Sequence, residues 1–206
     1  MSQPTTVLTD YLLALAALGS AWRLYRRRAR PSVPTLLWAA SFAALGVAAV
    51  VGGTWHGIPR GVLPSLRRSL WCVTYVAIGL ADLLILAGAT WAALARRPRL
   101  AILALLAGRF LIYVALVLGR RDFRYVAYEF GLTIVLLLVF GLDLARRGNR
   151  AAAFVLGGVL ASLAGGIVLS AGLDLHPQFN NNDLFHVIQT LGVCLFYNAG
   201  LLLRAR

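Results

Sequence analysis

The sequence predicts an all-α fold: an integral membrane bundle of seven transmembrane helices forming one domain over residues 1–206. Three observations carry that prediction. Hydrophobic residues make up 60% of the chain and charged residues only 13%, where an ordinary soluble domain is about a quarter charged. Seven apolar stretches recur, each near the length that crosses a bilayer. The basic residues fall in short runs between those stretches.

A helix rises about 1.5 Å per residue, so about 20 residues cross the ~30 Å hydrocarbon core. The first span is read at residues 7–21. It opens MSQPTTVLTDY, with neither a basic segment nor a small-residue cleavage site, so it is expected to stay as a helix rather than leave as a signal peptide. The second span, 35–55, closes on GGTWHG, and the third, 69–94, follows Arg67 and Arg68. The fourth and fifth are placed at 100–118 and 123–142. The sixth, 151–173, carries Gly158, Ser162, Gly166 and Ser170 at four-residue spacing, a small-residue stripe predicted to let a neighbouring backbone approach closely. The seventh is read at 183–203, after a polar loop. Short connections leave no room for a separate soluble domain. Trp22, Trp55, Trp71 and Tyr125 stand at helix ends, as an interfacial aromatic belt requires.

The net charge of +13 is explained by topology, so no nucleic-acid partner is expected. Every basic residue except the histidines is arginine. Thirteen arginines lie in the first, third and fifth loops and the C-terminus, among them Arg23, Arg26, Arg27, Arg28, Arg30, Arg204 and Arg206. Six lie on the opposite side, at Arg60, Arg67, Arg68, Arg120, Arg121 and Arg124. The imbalance predicts a multi-pass protein of the cytoplasmic (inner) membrane with its N-terminus outside and its C-terminus cytoplasmic. Its expected partners are membrane lipids, with other membrane proteins or further copies of the chain. With no lysine there is no Schiff base and hence no retinal. Cys72 and Cys194 form no C-x-x-C pair and are expected to be buried small apolar residues.

The residues able to carry chemistry gather toward the predicted outer face. His56 ends the second span, His176 lies in the last loop within LHPQFNNND, and His186 is about one turn into the seventh. A zinc ion held by His56, His176 and His186 is the functional expectation, because neutral imidazoles with an open water position suit catalytic zinc. Asp10, Glu129 and Asp183 are the carboxylates placed to orient a ligand histidine or take a proton from water. The competing expectation for the last loop is capping, with Asn182 or Asp183 satisfying the first amides of the seventh helix. Asp82 and Arg109, at similar depths in the third and fourth spans, are expected to form a buried structural ion pair.

The segments TDYLLALAALG, GGTWHG, DFRYVAYEFG and LHPQFNNNDLFHVIQ look like those of an uncharacterised bacterial seven-helix family. More distantly, histidines ending helix two and opening helix seven resemble the membrane hydrolase superfamily of alkaline ceramidases and progestin and adiponectin receptors. That resemblance implies seven helices, a zinc bound by His56 and His186, and water attacking a sphingolipid-like amide. The chain departs from the superfamily pattern at three positions. Asn182 stands where a second histidine of helix seven is usual, Gly52 where a serine is, and Arg67 where an aspartate is. The resulting expectation is a zinc-dependent hydrolase of a lipid amide or ester at the outer face, with His176 as the substitute third ligand. The alternative is a non-catalytic membrane subunit or lipid-binding scaffold packing with partner helices.

Overall fold

The computed structural model describes residues 3–26, 31–59 and 61–203. Among them run seven helices: α1 (Pro4–Arg26), α2 (Val33–Gly57), α3 (Pro64–Ala93), α4 (Arg96–Arg120), α5 (Phe123–Arg146), α6 (Ala151–Ala171) and α7 (Asn181–Leu202). Each is long and apolar enough to cross a membrane, so the protein is a multi-pass helical bundle. Arg27, Arg28, Arg30, Arg60, Arg204 and Arg206, which contribute to the charge asymmetry, lie outside the described residues.

Most helices run past their predicted spans, because arginine is a good helix former and continues the backbone beyond the apolar run. Thus α4 begins at Arg96 and α5 ends at Arg146. The early start of α3 has a different cause. Pro64 sits in its first turn, where its missing N–H costs nothing and its fixed φ suits a helix. The sixth helix stops short of residue 173. Gly172 adopts a φ of 65°, and the Leu173 N–H turns back to the Val168 carbonyl at 3.1 Å. Asp122 caps α5 by accepting the Arg124 N–H at 2.9 Å, and the hydrogen-bonding Arg124 side chain holds its carboxyl below the usual carboxylate range.

Packing closes six helices into a ring. In order around it, α1 meets α2, α2 meets α3, α3 meets α5, α5 meets α6, α6 meets α7 and α7 returns to α1. Helix α4 stands outside, against α3 and α5, and buries only Leu106, Tyr113 and Val117. The ring is filled around the fully buried Trp38, whose indole N–H donates to the Ile85 carbonyl at 3.1 Å. Phe42 and Phe196 meet that indole edge-on, with centroids 6.4 and 6.2 Å away. Gly88 makes this possible, since a Cβ there would lie 2.3 Å from Trp38 Cδ1. Outward-facing positions such as Leu105, Leu111, Leu160 and Ile167 are apolar and exposed, as contact with acyl chains requires.

Two sequence expectations are corrected by this packing. Cys194 is exposed and Cys72 partly so, hence neither is a buried core residue. On α6, Gly158 and Ser162 are buried, but Ser170 is exposed and nothing lies within 4 Å of a Cβ at Gly166. A four-residue step advances slightly more than one turn of a 3.6-residue helix, so the stripe drifts off the interface. Gly165 takes over from Gly166, facing Phe185, Ile188 and Gln189 of α7.

Candidate functional site at the histidine end

One end of the ring gathers the start of α1, the end of α2 and the start of α7. Thr6, Thr9 and Asp10 recur at helical spacing on one face of α1, and all three are buried. Asp183 and His186, three residues apart, form the matching face of α7 and are also buried. The two faces are tied directly. Thr6 Oγ1 donates to Asp183 Oδ1 at 2.6 Å. His186 Nδ1 lies 3.3 Å from Thr9 Oγ1, and His186 Nε2 lies 3.3 Å from Asp10 Oδ1. The second oxygen of Asp10, Oδ2, is buried and has no hydrogen-bond partner. The result is a chain from a hydroxyl through an imidazole to a carboxyl group that keeps one oxygen without a partner.

The second helix closes the other side of α1. A Cβ at Gly53 would come 2.9 Å from the Cβ of Asp10, so glycine allows the close approach that brings Asp10 inside. At Gly52 a Cβ would lie 3.8 Å from Asp10 Oδ1 and 3.6 Å from Thr74 Cγ2, ordinary contact distances. His56 is half-buried, and its Nδ1 sits 2.7 Å from Gln3 Oε1. Trp55 stacks on Trp71 with centroids 4.5 Å apart, and both rings meet His56 edge-on. Arg67 covers Trp55 at 4.1 Å and donates to the Trp55 and Ile58 carbonyls, so it caps the end of α2.

The last loop chiefly serves the start of α7. Its N-cap is Asn180, not Asn182 or Asp183: Asn180 Oδ1 accepts the N–H groups of Asn182 and Asp183 at 2.9 and 3.2 Å. Asp183 Oδ2 accepts the Asn180 N–H at 2.9 Å, completing a reciprocal capping box. Asp174 accepts the Asn181 N–H at 2.7 Å. His176 is exposed, and its Nδ1 accepts the Gln178 N–H at 3.2 Å within the loop's own turn.

Glu129 belongs to a different cluster. Its Oε1 accepts from Arg109 Nε at 3.0 Å and Nη2 at 2.7 Å, and Arg109 Nη2 also reaches Thr133 at 2.8 Å. The ion pair of Arg109 is therefore with Glu129 of α5, not with Asp82 of α3. Asp82 Oδ2 and Arg109 Nη1 are both buried without partners.

The structure thus joins Asp10, His186 and Asp183 through α1, with His56 of α2 at the same end and tied to Gln3, while His176 and Glu129 make other contacts. Among the described residues, no three His, Cys, Asp or Glu side chains form a group able to hold a metal ion. Both His186 nitrogens face protein partners, and one nitrogen each of His56 and His176 is engaged. Sequence reasoning overlooked Thr6, Thr9 and Gln3; the polar i, i+3, i+4 pattern at Thr6, Thr9 and Asp10 inside an apolar helix is the signal that reveals them.

Fold and site together define a seven-helix multi-pass membrane protein with a buried acid and imidazole pair at one end of the bundle. The chain belongs to DUF6962, a family of unknown function whose model matches residues 5–205. No curated protein and no solved structure matches it.

Proposed function

We propose that the protein hydrolyses an amide or ester bond of a membrane lipid, with Asp10 as the group that takes and returns the proton and His186 positioning it. The observation that carries this reading is the 3.3 Å contact of His186 Nε2 with Asp10 Oδ1 beside the unpartnered Asp10 Oδ2. A carboxylate oriented on one oxygen and open on the other suits a general base. Water gives its proton to Oδ2 as its oxygen bonds the substrate carbonyl carbon. The carbon–nitrogen or carbon–oxygen bond then breaks, and the leaving amine or alkoxide takes that proton back. His186 acts as a positioning residue, holding Oδ1 while its other nitrogen meets Thr9. Arginine enrichment at the opposite end of the bundle supports a cytoplasmic C-terminus, so this chemistry faces the outside of the cytoplasmic membrane. The distant likeness to ceramidases agrees with a lipid amide as substrate.

The test is turnover of a ceramide-like amide and of a phospholipid ester by the purified protein in lipid nanodiscs. Cleavage of one of them, reduced about 100-fold or more in His186→Ala, is expected. Absence of cleavage, or an unaffected variant, overturns the reading.

A second reading is favoured by a specific observation: apart from Asp10 Oδ2, the polar atoms joining α1 to α7 bond one another within a buried contact. Such a clasp serves a non-catalytic subunit or lipid-binding scaffold equally well. Under it, His186→Ala lowers the melting temperature while no lipid is cleaved by either form.

A further inference from the structure

The opposite end of the bundle holds a second feature, independent of the histidine cluster. Where α1 and α7 finish, Trp22, Arg23 and Arg26 of α1 and Tyr197 of α7 line an open groove of about 410 Å³. The guanidinium carbon of Arg26 lies over the Trp22 ring at 4.2 Å from its centroid, so the cation is held by an aromatic face. Among the described residues, neither Arg23 nor Arg26 pairs with a carboxylate. The acidic residues of these two helices, Asp10 and Asp183, both belong to the histidine end, and the sequence continues past α1 with Arg27, Arg28 and Arg30. The groove therefore presents two arginines that no carboxylate among the described residues pairs, a local positive field.

We propose that this groove binds the phosphate headgroup of an anionic phospholipid. The residue types fit that ligand at each point. Guanidinium forks match phosphate oxygens in pairs, whereas a point cation does not. Tryptophan and tyrosine rings settle at headgroup depth, with an apolar body toward the acyl chains and a polar edge toward water. Trp22 is 55% exposed, which leaves its ring available to the glycerol and upper acyl region of a bound lipid. A zwitterionic headgroup would bring an ammonium into the same positive field and lose much of the attraction.

The claim is tested by calorimetric titration of the detergent-purified full-length protein with short-chain phosphatidylglycerol. Saturable binding is expected, weakened about 5-fold by each of Arg23→Gln and Arg26→Gln. Both side chains are at the surface, and unchanged melting curves confirm that the variants are folded. Phosphatidylcholine and inorganic phosphate, titrated against the unaltered protein, test the same claim without a variant. Weak binding of both supports it. Phosphatidylcholine binding as tightly shows that headgroup charge is not recognised, and inorganic phosphate binding as tightly shows a free-anion site; either result overturns the proposal, as does an unaltered affinity in the Arg23→Gln/Arg26→Gln double variant.

Discussion

At the scale of single residues, the chain separates its buried charges into two groups with different partners. Thr6 and Asp183 share a 2.6 Å hydrogen bond between fully buried side chains. Thr6→Val keeps the shape and removes the donor, leaving a carboxylate oxygen unsatisfied. Thermal unfolding in detergent should show a loss of about 1–3 kcal/mol. The second group is less tolerant. Arg109→Met strands the Glu129 carboxylate, and breaking a buried pair from one side costs about 3–5 kcal/mol, so this variant should melt far below the unaltered protein. Substituting both partners with apolar residues should recover part of the loss. These partners were only partly legible in the sequence. Asp82 and Arg109 stand at similar depth, but depth does not say which neighbouring helix faces the guanidinium, and α5 carries Glu129 and Thr133 to it. The histidines pose a similar difficulty, because spans and loops place them at one end without fixing which nitrogen meets which carboxylate.

At the scale of helices, apolar length and loop arginines sufficed to find all seven elements, since a lipid-spanning backbone has little alternative to a helix. Helix ends were less legible because arginine-bearing turns remain helical outside the apolar run. The α6 stripe gives the sharpest contrast between pattern and packing. Gly158 faces Phe196, where a Cβ would sit 2.7 Å from the ring, while a Cβ at Gly166 meets nothing within 4 Å. Gly158→Ala should therefore cost about 1–3 kcal/mol through overpacking. Gly166→Ala should leave the melting temperature unchanged or raise it slightly, because alanine is the better helix former. Equal effects at the two positions would contradict the observed rotation of α6.

At the scale of the whole molecule, the bundle has two unlike ends. One holds His56, Asp10, His186 and Asp183 around the start of α1; the other holds the groove formed by Trp22, Arg23, Arg26 and Tyr197. The arginine asymmetry of the sequence predicts an orientation for this axis, with the histidine end outside and the C-terminus cytoplasmic. A green fluorescent protein fused to the C-terminus should fluoresce in cells, and alkaline phosphatase at the same point should be inactive. Active phosphatase there would reverse the orientation and place the histidine end in the cytoplasm. The proposal that chemistry resides at that end meets its most direct test in lipid turnover by Asp10→Asn beside Asp82→Asn, both reconstituted and shown to be folded. Turnover reduced about 100-fold or more in Asp10→Asn and retained in Asp82→Asn is the predicted result; retained turnover in Asp10→Asn would contradict it.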